Sequence, residues 1–188
     1  PPPVVGDPYD WWVVGQKRIA SLGATSGAGL RFDTPEKIRQ EGSFANVRPG
    51  GYIPDEHVKD MELDGVYGGV VYPSLGLGLF GFENAELARP IFSTYNDWVA
   101  DFCESHPQRL KGVAMIILDD GVTDGIAELR RAADRGLAGA MISSFPRSHQ
   151  TYDLDMYEPF WAAAQEVGLP LSLHVSTNRP GSAEHDVG

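Results

Sequence analysis

Between residues 54 and 177, short apolar runs alternate with longer stretches whose apolar residues recur at helical spacing. The runs Val66–Tyr72, Leu110–Leu118, Leu137–Ile142 and Leu169–Thr177 read as strands, with their middles near residues 69, 114, 140 and 173. Pro54–Leu63 reads as a helix closed by Gly65. A longer helix has Pro90 near its first turn and Ile91, Tyr95, Trp98, Val99 and Phe102 on one face, and Pro107 ends it. A third, capped by Thr123 or Asp124, turns Ile126, Leu129 and Ala133 inward and stops at Gly136. A fourth runs from Asp153 or Asp155 to Val167. Strand and helix in strict alternation predict right-handed βαβ units and a parallel sheet. A closed eight-stranded barrel takes ~250 residues. The predicted strands therefore supply about half of one, or a small open sheet.

Residues 1–53 carry little periodicity: a Pro-rich start, Trp11-Trp12-Val13-Val14, a Gly/Ser/Ala stretch from Ser21 to Gly29, and Arg48-Pro49-Gly50-Gly51. We read 1–53 as a long irregular loop region and 54–188 as a single α/β domain. The paired tryptophans suit a β-ribbon, a lid or a core, and a short helix is expected near Thr34-Pro35-Glu36. The composition is that of an ordinary globular domain: 188 residues, 42% hydrophobic and 22% charged. A formal net charge of −11 leaves no basic patch to offset phosphate, which argues against a nucleic-acid partner. No run approaches the length of a membrane span. The single cysteine, Cys103, falls in a predicted helix, so a disulfide framework is excluded and a reducing, cytoplasmic setting is expected. No signal peptide is visible, and further sequence is expected on both sides.

The chemistry-bearing residue that stands out is His174, an imidazole at the C-terminal end of a strand where Leu or Val would pack better. Ligands and chemistry sit at those strand ends in parallel sheets. The alternative is a core histidine satisfied by backbone. His185 lies between acids, and His57, His106 and His149 have sufficient structural readings. Gly76-Leu77-Gly78-Leu79-Phe80-Gly81 matches the dinucleotide fingerprint and keeps an NAD(P)-binding, Rossmann-type dehydrogenase open. Against it, Pro73 and Ser74 separate the strand from the glycines, and the nearest strand-end acids are Asp119-Asp120, well beyond the ~20 residues expected. There is no Gly-x-Ser-x-Gly elbow, and Cys103 has no evident base partner.

Several segments, in order, are similar to one family. They are Pro54-Asp55 with Lys59–Val66, Val70-Val71-Tyr72-Pro73-Ser74, Asn96-Asp97-Trp98, His106–Ala114, Tyr157–Ala164 and Gly168–His174. Together they resemble the amidohydrolase superfamily, in the branch that holds aminocarboxymuconate-semialdehyde, resorcylate and carboxyvanillate decarboxylases. The resemblance implies a (β/α)8 TIM barrel, here incomplete with strands two to five visible, and one divalent metal ion, zinc or manganese, at its C-terminal mouth. His174 matches the metal ligand of the fifth strand. The ligands implied on the first and eighth strands, and an acid/base histidine on the sixth, have no counterpart here. Ala140–Ser144 holds no Lys or Glu to bridge two metals, so a single ion is expected. The loop from Tyr72 to Gly81, including Ser74, is expected to line the substrate pocket with Ser143, although loop serines also form turns. The branch's carboxylate-gripping arginine falls at Ala45, which leaves Arg48 as a substitute or as a solvated loop residue. The implied activity is a metal-dependent hydrolase or non-oxidative decarboxylase acting on a small organic, aromatic-type substrate, with a homo-oligomer compatible. A chain that performs no chemistry alone is the other reading, since a half-barrel exposes two unpaired strand edges.

Overall fold

The computed structural model describes residues 9–14, 17–25, 27, 34–39 and 41–182. The chain divides into two compact units, Pro1–Gly65 and Val66–Gly188.

In the first unit, β1 (Trp11–Val14) pairs antiparallel with β2 (Lys17–Ser21), so the tryptophans belong to a β-ribbon. The Arg18 guanidinium lies 4.6 Å from the Trp11 ring centroid, a cation–π contact across the ribbon. The helix expected near Thr34 is only a 3-10 turn, Pro35–Lys37, and Thr34 makes no side-chain cap bond. Helix α1 (Pro54–Leu63) starts on its proline, and Gly65 follows it at φ +69°, in the left-handed region that a residue with a Cβ resists.

The second unit carries the alternation. Strands β3 (Gly69–Val71), β4 (Leu110–Met115), β5 (Gly139–Ser143) and β6 (Leu171–His174) form one parallel sheet in that order. Helices α2 (Ala85–Glu104), α3 (Thr123–Asp134) and α4 (Glu158–Val167) connect them. The strands are shorter than their apolar runs. Strand β3 stops at Val71 because Pro73 has no N–H to continue the ladder. Val66 and Tyr67 lie outside it, their carbonyls taken by the Arg109 side chain. Strand β6, whose apolar run suits a packed position, is instead an edge: Leu173 is 61% exposed and Val175, just beyond, 76%.

Helix α2 begins well before Pro90, with the Asn84 side chain accepting from Leu87 N at 3.1 Å. Its inward face is centred on Ala88, Phe92, Asn96, Val99 and Cys103; of the expected face, Val99 and Phe102 are buried, Ile91 and Tyr95 pack partly buried against the core, and Trp98 is 44% exposed. Helix α3 buries Gly125, Leu129 and Ala132, one position away from the expected Ile126 and Ala133. Its N-cap is Val122, without a side-chain cap bond, in place of Thr123 or Asp124. Close packing of α2 on β4 needs Gly112, where a Cβ would come within 2.8 Å of Leu137 and 3.1 Å of Val99. Val113, Met115, Ile117 and Met141 form a core with Phe80 and Phe92, whose ring centroids are 4.7 Å apart.

Candidate functional site

The curl of the sheet makes the site. Strands β3 and β6 are opposite edges, which a flat sheet would hold about 14 Å apart. Yet the rings of Tyr72, just past β3, and His174, at the end of β6, have centroids 5.9 Å apart. Both side chains therefore point into the concave side, and the carboxyl ends of the strands converge there.

His174 Nδ1 lies 2.7 Å from Val175 O. A carbonyl only accepts, so Nδ1 carries the proton and the lone pair of the neutral ring resides on Nε2. Among the described residues Nε2 makes no hydrogen bond, and the ring is half-buried. The backbone is fixed by Thr177, fully buried, whose Oγ1 donates to His174 O at 2.5 Å and accepts from Ser144 N at 2.8 Å.

Ser143 stands opposite His174 in the β5–β6 register. Equal register places both side chains on the same face of the sheet. Its hydroxyl is 2.8 Å from Tyr152 Oη, which also lies 2.8 Å from Ser143 O. Burial pushes the Tyr152 phenol well above its ordinary range, against a smaller opposing pull from Ser143, so the phenol stays a donor. Ser74 is exposed, at the start of the turn that follows β3. Arg48 belongs to the first unit, where its guanidinium holds the Asp60 carboxylate in a two-point ion pair, with Nε donating at 3.2 Å. The structure thus brings Tyr72, Ser143 and His174 to one strand end; Ser74 is two residues from Tyr72, and Arg48 is engaged elsewhere.

A buried ion pair lies at the ends of the same strands. Asp119 and Arg179 are 4% and 2% exposed. Arg179 Nε donates to both Asp119 oxygens at 3.1 and 3.0 Å, Nη2 donates at 2.6 Å, and Nη1 donates to Phe80 O. Arg147 Nε lies 3.1 Å from the same carboxylate. Sequence reasoning noted Asp119 only as a strand-end acid and passed over Tyr152, Thr177 and Arg179. These are polar loop residues, and no local pattern tells a solvated loop from a buried one.

The glycine-rich fingerprint does not form a dinucleotide loop. Leu75–Gly81 is a 3-10 run with Phe80 fully buried, and the next helix starts only at Ala85. His57 Nδ1 meets Gly50 O at 2.8 Å, as a structural histidine does. His185 lies outside the described residues.

For a divalent ion, His174 is a fitting donor: a neutral imidazole on a strand, its second nitrogen bound to a carbonyl. A catalytic zinc site takes about three protein ligands. Among the described residues no three His, Cys, Asp or Glu side chains are grouped to hold a metal. These residues fit the ion as one ligand and not as a complete site.

A profile described as amidohydrolase matches residues 64–187. The chain belongs to the amidohydrolase family. The chain is 35% identical over 99 residues to γ-resorcylate decarboxylase of Rhodococcus jostii strain RHA1, covering 47% of this chain and 30% of that protein. It is 28% identical over 160 residues to γ-resorcylate decarboxylase of Rhizobium radiobacter, covering 76% of this chain and 47% of the other. Among solved structures it is similar to 2,6-dihydroxybenzoate decarboxylase complexed with 2,6-dihydroxybenzoate, with TM-score 0.57 and 28% identity over 65% of this chain and 39% of that one. A manganese-bound 5-carboxyvanillate decarboxylase from Novosphingobium aromaticivorans gives TM-score 0.55 and 25% identity over 63% and 33%. The chain therefore spans under half the length of these relatives, and its curled sheet is a partial (β/α) barrel.

Proposed function

We propose that the chain is part of a metal-dependent, non-oxidative decarboxylase acting on a small aromatic carboxylate. The observation that carries this is the meeting of His174 and Tyr72 across a curled sheet, with Nε2 making no hydrogen bond among the described residues. Likeness to resorcylate decarboxylases favours loss of a carboxylate over hydrolysis. In this reading His174 Nε2 is one ligand of a zinc or manganese ion, and the other ligands lie outside the described residues. A divalent ion so held polarises a phenolic or carboxylate oxygen of the substrate. Tyr72 offers its ring to the aromatic face of the substrate, and Ser143 and Ser74 offer hydroxyls. Arg48 serves as a carboxylate-binding residue only by exchanging Asp60 for the substrate. In this reading residues 54–188 are assigned to the partial barrel and 1–53 to the segment before it. A reducing cytoplasm keeps the buried Cys103 a thiol.

The test pairs wild type with His174→Ala. Equilibrium dialysis against Mn2+ is expected to show at least about tenfold weaker binding in the variant, the range in which even supporting residues of metal sites act. Mn2+-dependent CO2 release from 2,6-dihydroxybenzoate is expected to fall in parallel. Equal Mn2+ binding by both proteins removes His174 as a ligand and the metal reading with it.

A further inference from the structure

We propose that Thr177 is a positioning residue that fixes the direction and the tautomer of the His174 imidazole. Its purpose rests on the reading of His174 as a metal ligand; its geometry does not. The ring is held by the carbonyl of its own neighbour, Val175 O, at 2.7 Å. The ring direction therefore depends on how the Val175–Ser176 peptide plane is turned. That plane is set partly by Ser176, whose φ of +68° is strained for a residue with a Cβ. Released from restraint, Ser176 relaxes to negative φ and swings Val175 O away from Nδ1.

Thr177 supplies the restraint. Its hydroxyl has one proton, which goes to His174 O at 2.5 Å rather than to Ser144 Oγ at 3.4 Å. The same oxygen accepts from Ser144 N at 2.8 Å, tying the turn to the end of β5. Two residues on, Arg179 N donates to Phe145 O at 2.9 Å, and its guanidinium is anchored on Asp119. Ser176 is thus held from both sides, and Val175 O is kept where it fixes the proton on Nδ1 and the lone pair on Nε2. A hydrophobic residue of the same shape at 177 fills the space and loses the restraint.

Long-range 1H–15N spectra of the imidazoles in the full, metal-free chain test this, at a pH where the ring is neutral, with His174→Asn to assign the signal. Wild-type His174 is expected to carry its proton on Nδ1. Thr177→Val is expected to raise the ratio of Nε2–H to Nδ1–H forms roughly fivefold, the effect of one ordinary hydrogen bond. Thr177→Ser, which keeps the hydroxyl, is expected to stay near wild type. Ser176→Gly combined with Thr177→Val is expected to recover part of the way, because glycine adopts φ +68° without strain although it does not enforce it. An Nε2–H ring in wild type overturns the proposal whichever variants fold, and so does an unchanged ratio in Thr177→Val. Should His174→Ala leave Mn2+ binding untouched, the ligand role fails while the tautomer result stands; an unmoved tautomer leaves the ligand role standing.

Discussion

Asp119 and Arg179 occupy positions that neither can hold alone. A buried carboxylate without a counter-charge forfeits its hydration, a penalty of several kcal/mol, and the bidentate guanidinium is what offsets it here. Arg147 contributes a second cation at 3.1 Å, but its own Nε makes no well-directed hydrogen bond, so it only partly substitutes. Arg179→Met should therefore cost about 3 kcal/mol of unfolding free energy, the lower end of the range for breaking a buried pair. The double variant Asp119→Leu/Arg179→Met should recover at least about 1 kcal/mol of that, because no carboxylate is then left unpaired. Urea unfolding at constant m-value measures both. A single variant within about 0.5 kcal/mol of wild type, the range of an ordinary surface change, shows that the pair is not the anchor its burial implies.

Among the elements, α2 and β4 are joined by a side chain that imitates a strand. Beyond β3, the N–H and C=O of Met115 have no neighbour in the sheet, because Pro73 interrupts that strand. Asn96 takes both: Oδ1 accepts from Met115 N at 2.7 Å and Nδ2 donates to Met115 O at 3.1 Å and to Glu128 Oε1 at 2.6 Å. Asn96→Ala leaves two buried backbone groups unsatisfied, and a loss of about 3 kcal/mol is expected in the same urea assay. A loss below about 1 kcal/mol means that water replaces the amide and the clamp is dispensable. This clamp also explains how far the elements could be read beforehand. The order of strands and helices was legible because each buries one apolar face, and periodicity records that face. The inward face of α2 was legible only in part: Val99 and Phe102 are buried as their spacing implies, but a polar residue, Asn96, lies at the centre of that face and Trp98 is 44% exposed. Strand ends were overrun for a related reason: Val66 and Tyr67 look β-prone, but an arginine side chain and a proline decide where the ladder stops. At the site, His174 was legible as an imidazole in an apolar strand. Thr177 and Arg179 were not, since they act through tertiary partners 33 and 60 positions away.

At the scale of the second unit, the consequence of a four-stranded curl is two edges that are unpaired among the described residues. Side chains alternate across a strand, so Leu173 lies on the face opposite His174, away from the concave side, and Val175 follows it in the turn just past β6. They are 61% and 76% exposed, and Val70 on the other edge strand is 58% exposed. Open backbone hydrogen-bonding groups beside uncovered apolar side chains are a template for association. A net charge of −11 opposes it, but only over the Debye length, which falls from about 30 Å at 0.01 M salt to about 8 Å at 0.15 M. The 188-residue chain should therefore self-associate as concentration rises, and more readily at the higher salt. Leu173→Lys separates the two contributions. It moves the net charge from −11 to −10, which slightly lowers the repulsion, while placing a charge on the open edge. If the uncovered strand drives association, the variant stays monomeric to higher concentration despite the weaker repulsion. Sedimentation velocity at both salt concentrations reads the difference, and a variant that associates as readily as wild type assigns the contact to another surface.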